Sequence, residues 1–312
     1  MNDTILSFRP FLLEKIWGGD FLTRLYGKQE TKEPVGEAWL ISALPGKSTT
    51  VVSEDGHETS LETLYRENPV FFATAGPRFP FLAKIIDAAD KLSIQVHPTD
   101  AYATKHGQGC GKSECWFVLE SGGEGKIVAG HKAETGEELR EAILNKRIRP
   151  LIREEKVRKG DFIRIPAGLI HAIGAGVRVV EIQDPSDTTF RIDDYGRTDK
   201  TGKSRELMLH EASEAALFAR ANTTIEHTEG RFGIFNLVRE RNFSVDRWKT
   251  EKGLAFDNRK RENIYFIATE GQGTVNNRFV RTGDAIMITG QADEITVEGN
   301  IGLLAIRSGD RS

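Results

Sequence analysis

The sequence predicts a mainly β protein, two related β-barrels or jelly rolls in tandem with a few inserted helices. Three observations carry this. Short runs rich in β-branched and aromatic residues recur between glycine-rich turns from residue 113 onward. Stretches with helical periodicity are too few for a fold of alternating strands and helices. Finally, Arg158, Gly160, Asp161, Ile163 and Ile165 are echoed at identical spacing by Arg281, Gly283, Asp284, Ile286 and Ile288, an internal repeat. The domains expected are 1–225, a barrel with inserted helices, and 226–312, a second barrel.

Taken in order, Lys15-Ile16-Trp17-Gly18-Gly19-Asp20 contains a turn-forming glycine pair, and Asp20 is placed to cap a short helical pattern from Phe21 to Tyr26. Residues 37–42 read as a strand. Ser60 opens a second helix with Leu61, Leu64 and Tyr65 on one face, stopped by Asn68-Pro69. The apolar run 79–86 leads to Leu92-Ser93-Ile94-Gln95-Val96-His97-Pro98. On a strand, alternate side chains share a face, so Ser93, Gln95 and His97 point one way and Leu92, Ile94 and Val96 the other. Taken alone, that alternation describes a surface strand with its polar face in water.

Residues 116–119 and 126–130 form a hairpin pattern around the turn at 121–125. Thr135-Gly136-Glu137-Glu138 is a capping box, and Leu139, Ala142 and Ile143 give the following helix one apolar face. Strands resume at 159–168 and 177–183, a connecting helix is expected over 210–220, and strands fill the remainder from 231.

A chain of 312 residues with net charge −3 and pI near 6.2 offers no electrostatic reason for nucleic acid or an anionic membrane as partner. No apolar run approaches the ~20 residues of a membrane span, and residues 1–17 lack the features of a secretory signal. A cytoplasmic protein is expected. Cys110 and Cys115 fit neither a zinc nor a redox Cys-x-x-Cys pair, so two reduced thiols are expected.

The order Gly160-Asp161, Pro166, Gly168, His171 resembles the second motif of the cupins, small metal-binding jelly rolls in which the histidine points inward as a ligand. Gln95, His97, Glu114 and His171 together offer two imidazole nitrogens and two oxygens. That set suits a borderline divalent ion such as zinc with one open position, and it also accommodates Co²⁺, Mn²⁺ or Fe²⁺. Where the first repeat reaches His171 the second has Asp293-Glu294, and no histidine follows His227. The metal is therefore expected in the first barrel. His57, His106, His131, His210 and His227 lack comparable surroundings and are read as surface or structural.

Lys84 eleven positions before Gln95, then His97-Pro98, Lys112-x-Glu114, Pro166-x-Gly168-x-x-His171 and Ser186-Asp187-x-x-x-Arg191 resemble the type I mannose-6-phosphate isomerases, in their short bacterial form. The resemblance covers essentially the whole chain. It implies one Zn²⁺ per chain on Gln95, His97, Glu114 and His171, an arginine at Arg191 required for activity, and interconversion of mannose 6-phosphate and fructose 6-phosphate. It also implies Lys84 and Ser93 as the phosphate site, with Trp17 and Glu37 near the sugar, although each of these two also reads as a core aromatic or an edge carboxylate.

Moving a carbonyl between C1 and C2 requires removing a proton beside it and stabilising an enediolate, work suited to a Lewis-acidic metal assisted by a guanidinium. With a pKa above ~12, Arg191 stabilises charge and is no base. Lys112, two positions from Glu114, is the candidate proton carrier. Asp187 could orient Arg191, and a metal-bound water is a third candidate for the base. A cupin oxygenase and a non-catalytic sugar-binding cupin are the rivals. Gln95 and Lys84 favour a sugar phosphate over the first, and Lys112 and Arg191 beside four ligands favour an enzyme over the second. Monomer and homodimer are both compatible with the sequence.

Overall fold

The computed structural model describes residues 3–27, 34–72, 76–218 and 223–309. Strands account for 46% and helices for 13%, which places the chain in the mainly β class expected. No sheet closes on itself, so the barrels of the sequence reading are open sheets. No described helix is long and apolar enough to cross a membrane, and neither Cys110 nor Cys115 forms a disulfide.

Two compact units are present: Met1–Leu12, Ala38–Ile85 and Gly230–Ser312 form one, and Leu13–Glu37 with Ile86–Glu229 form the other. This differs from the expected division at 225/226. The reason is strand pairing: Ile5–Arg9 pairs with both Ala285–Ile288 and Thr50–Val52, which adds N-terminal strands to a C-terminal sheet. Pairing between strands distant in sequence leaves no mark in local composition.

The unit containing the C-terminal strands holds a ten-stranded sheet. Trp248, Phe266, Ile286, Ile288 and Leu303 belong to its buried core. Lys84, on the strand Leu82–Ala88, is buried in this unit with Nζ 5.9 Å from the centre of the Trp39 ring.

In the other unit, a smaller sheet runs in the order Ile152–Lys156, Lys126–His131, His171–Ile173, Ile94–Val96, Phe190–Asp193. A larger sheet contains Ile225–His227, Asp161–Ile165, Glu114–Ser121 and Val177–Gln183. Trp116, Val118, Ile163 and Val179 of the larger sheet cluster with Ile127, Ala129 and Ile173 of the smaller. Those shared contacts set the two sheets face to face, as in a sandwich or jelly roll.

The back of the smaller sheet is covered as well. Ile94, Val96, Val128, Ala172, Phe190 and Ile192 pack against Leu139, Ala142 and Ile143 of the helix Gly136–Leu144 and Ala212 and Ala215 of the helix Leu209–Ala215. The first of these helices starts at the predicted capping box, where Thr135 accepts from the Glu138 amide at 3.1 Å. With apolar helices on one side, the strand Ile94–Val96 turns its polar side inward between the sheets. The surface strand that the alternation describes when taken alone is therefore not what forms. Leu92 also departs from the expected face: it lies ahead of the three-residue strand and joins the inner cluster with Trp17 and Trp116.

The internal repeat is a repeat of turn geometry. Asp161 accepts from the Arg158 amide and Asp284 from the Arg281 amide, both at 2.9 Å. Gly160 and Gly283 sit between them at φ 82° and 94°, a left-handed backbone that glycine adopts without a Cβ penalty. Each turn leads into a strand, and Ile163 and Ile286 then reach the cores of their respective units.

Ile143, fully buried against the back of the smaller sheet, tests this packing. Ile143→Ala should lower unfolding stability by about 2–5 kcal/mol, read by urea denaturation. A loss below about 0.5 kcal/mol would mean that the helix does not seal that face.

Candidate active site

One row across the smaller sheet supplies three of the expected groups. Gln95 lies directly opposite His171 on one side and Arg191 on the other, and directly opposed residues in a sheet present their side chains on the same face. His97 follows two positions after Gln95. Glu114 comes from the facing sheet, where it opens the strand Glu114–Ser121 opposite Ile165 and Gln183. The turn at Pro166–Gly168 locks these parts together. The Gly168 amide donates to the His97 carbonyl at 2.9 Å and the Lys112 amide to the Pro98 carbonyl at 2.9 Å, while the Ala167 amide donates to Ser113 Oγ at 3.2 Å.

His97, Glu114 and His171 are each no more than 2% exposed, and they offer ligand atoms all within 4.8 Å of one another. His97 Nε2 lies 3.2 Å from Glu114 Oε2 and His171 Nε2 lies 3.4 Å from Glu114 Oε1. Each imidazole is oriented from behind: His97 Nδ1 is 2.9 Å from the Thr188 carbonyl and His171 Nδ1 is 2.8 Å from the Leu169 carbonyl. A carbonyl can only accept, so each Nδ1 carries the proton and each Nε2 turns a lone pair toward the carboxylate. Neither Glu114 oxygen receives a hydrogen bond. Buried carboxylate oxygens that complete no hydrogen bond, facing two imidazole lone pairs, fit a divalent cation of the zinc type.

The electrostatics agree with neutral imidazole and ionised carboxylate. Burial, assisted by repulsion from Lys112, pushes His97 down to about 3. For Glu114 burial acts upward, yet the carboxyl is held well below its usual range, with the Lys112 ammonium the leading influence in that direction. Lys112 Nζ is 2.9 Å from His97 Nε2 and 3.1 Å from Glu114 Oε2. An incoming metal ion would compete with this ammonium for the same atoms.

The half-buried Gln95 directs its amide nitrogen to His171 Nε2 at 3.4 Å, while its oxygen accepts from Ser93 Oγ at 3.2 Å. To ligate through oxygen its amide must turn over, which Ser93 permits because a hydroxyl can accept as well as donate. Arg191 donates from Nε to Ser93 Oγ at 3.3 Å and from Nη1 to the Glu206 carbonyl at 2.9 Å. Ser93 thus joins Gln95 to Arg191. Asp187 is exposed, four residues ahead of Arg191. Trp17 is 3% exposed within the apolar core, and Glu37 is buried in an ion pair with Lys15 at 3.1 Å.

Of the remaining histidines, His106 stacks on Tyr102, His131 stacks on Phe218 and His227 bonds Asp161 at 2.8 Å, while His57 and His210 are exposed. The sequence reading missed the two orienting carbonyls and the Glu206 carbonyl, which carry no residue-type signal. It also missed Trp116, whose ring meets His171 edge-on at 5.6 Å. Strand alternation from Glu114 would have placed Trp116 on the ligand face.

Residues 5–113 match the family model of the phosphomannose isomerase type I catalytic domain. Mannose-6-phosphate isomerase ManA of Bacillus subtilis is 34% identical over 309 residues, covering 96% of this chain and 97% of that protein. The crystal structure of mannose 6-phosphate isomerase from Bacillus subtilis matches with a TM-score of 0.84 at 30% identity, over 97% of this chain and 99% of that one. A mannose 6-phosphate isomerase crystallised with zinc and yttrium shares the fold, with a TM-score of 0.77 at 16% identity over 98% and 100% of the two chains.

Gly168 sits at φ +85°, and a Cβ there would lie 2.5 Å from the Leu217 side chain. Gly168→Ala should therefore cost about 1–3 kcal/mol of stability, measured by chemical denaturation. An unchanged midpoint would contradict the role given to this turn.

Proposed function

Since the chain belongs to the type I mannose-6-phosphate isomerase family, we propose that it interconverts mannose 6-phosphate and fructose 6-phosphate at the buried centre, using one zinc ion held by Gln95, His97, Glu114 and His171. The observation that carries the zinc assignment is the convergence of two carbonyl-oriented imidazoles on a carboxylate that receives no hydrogen bond.

The net reaction moves one proton from C2 to C1 and one from the C2 oxygen to the C1 oxygen, so no external oxidant or reductant is needed. Zinc bound there supplies Lewis acidity toward the sugar oxygens. Arg191 stands on the same inward row as Gln95 and His171, where its fixed positive charge stabilises the enediolate oxygens. Ser93 and the Glu206 carbonyl hold that guanidinium in place before substrate arrives. Lys112, 4% exposed, is the residue we assign to carrying the proton at Nζ, because it touches two ligand side chains in a place bulk water does not reach. Burial of the whole group limits exchange of that proton with solvent.

A coupled assay with mannose 6-phosphate should find chelated protein inactive and zinc-restored protein active. Absence of turnover in both states would refute the isomerase assignment. His97→Ala should lose bound zinc. Arg191→Ala should keep the zinc while kcat falls about 10²–10³-fold, and loss of metal in that variant would mean that Arg191 belongs to the metal-holding set instead.

A further inference from the structure

We infer that Asp194 is a positioning residue for Arg191, acting through the turn that carries the Glu206 carbonyl. This rests on the role given to Arg191 above.

Arg191 lies on the strand Phe190–Asp193, and the chain returns past it at Met208, whose amide donates to the Arg191 carbonyl at 2.9 Å. Two residues earlier in that returning segment, the Glu206 carbonyl takes the Arg191 Nη1 hydrogen bond. The intervening turn is tied at Asp194, whose carboxylate is 5% exposed. It accepts from Arg197 Nη2 at 2.6 Å and Arg205 Nε at 2.8 Å, with a second bond from Arg205 Nη2. Arg205 immediately precedes Glu206, so the two-pronged Arg205–Asp194 contact fixes the peptide that presents the carbonyl to Arg191.

The second arginine reaches toward the other anchor. Arg197 donates from Nη1 to the Lys91 carbonyl at 2.6 Å and to Asp90 at 3.0 Å, two residues before Ser93, which accepts from Arg191 Nε. One carboxylate thus secures the neighbourhoods of both groups that hold Arg191. Its charge also counters a local excess of cations: burial, then Arg205 and Arg197, lower the pKa of Arg191, while Asp194 acts the other way. The turn needs such ties, since Tyr195 holds a left-handed φ of 60° without being glycine.

Asp193 is the natural control. It forms a comparable two-pronged pair with Arg149, at 2.6 and 2.8 Å, and accepts from the Tyr195 amide, but no hydrogen bond or ion pair of either reaches Glu206, Lys91 or Ser93. The experiment compares Asp194→Asn with Asp193→Asn in the zinc-loaded full chain, measuring kcat, KM, metal content and melting temperature. Asp194→Asn should lower kcat about 10- to 100-fold, as expected for a displaced catalytic group, with KM within about threefold and full metal content. Asp193→Asn should keep kcat within about twofold.

Equal kcat values for the two variants would overturn the inference, as would a kcat loss accompanied by loss of metal. Should Asp194→Asn not fold, Arg205→Gln against Arg149→Gln gives the same comparison under the same criteria. Wild-type chain without isomerase activity would refute the parent assignment instead, a result that is visible before any variant is made.

Discussion

The arrangement depends on one constraint: the Glu114 carboxylate is ionised while buried between two sheets, with two neutral imidazoles and a lysine as its companions. A buried charge is costly unless it is matched by an opposite charge or by donors. Much of the local structure serves that match. Backbone carbonyls keep both Nδ1 atoms occupied, the left-handed turn at Gly168 ties down His97, and cross-strand register sets Gln95 between His171 and Arg191. The same match leaves lone pairs and negative charge directed at one point, which is what a divalent ion requires.

Helices shape the site without contributing a ligand. Had the outer face of Ile94–Val96 met water, Ser93, Gln95 and His97 would have had no reason to turn inward. By covering Ile94 and Val96, the helices Gly136–Leu144 and Leu209–Ala215 leave the polar side only the space between the sheets. The alternation at 92–98 is therefore visible in the sequence, whereas its inside and outside are decided by elements 40 or more residues away. The boundary of the strand was hidden as well: with pairing confined to 94–96, Leu92 escapes the alternation and joins the inner core.

The donor types could be read from the residues, because imidazole, carboxylate and amide are side chains whose chemistry is plain from the sequence, and the resemblance ordered them. The Arg158–Asp161 and Arg281–Asp284 turns were equally legible, since a glycine followed by an aspartate marks a left-handed turn closed by a side chain. What could not be read was whatever passes through backbone atoms or distant pairing. The Thr188, Leu169 and Glu206 carbonyls belong to this class, as does the joining of Ile5–Arg9 to a C-terminal sheet. A helix at Asp100–Lys105, capped by Thr99, also went unread because Pro98 masked its start.

The two turn repeats separate scaffold from chemistry. Both build the same aspartate-closed turn into a core strand, but among the described residues the grouped histidines and glutamate belong to the unit containing Gly160. The central claim concerns that trio, and X-ray absorption at the zinc edge of the reconstituted protein tests it most directly. The account predicts a first shell of nitrogen and oxygen alone at about 2.0–2.2 Å with outer-shell scattering from two imidazoles. A sulfur scatterer near 2.3 Å, or a shell without imidazole, would contradict it.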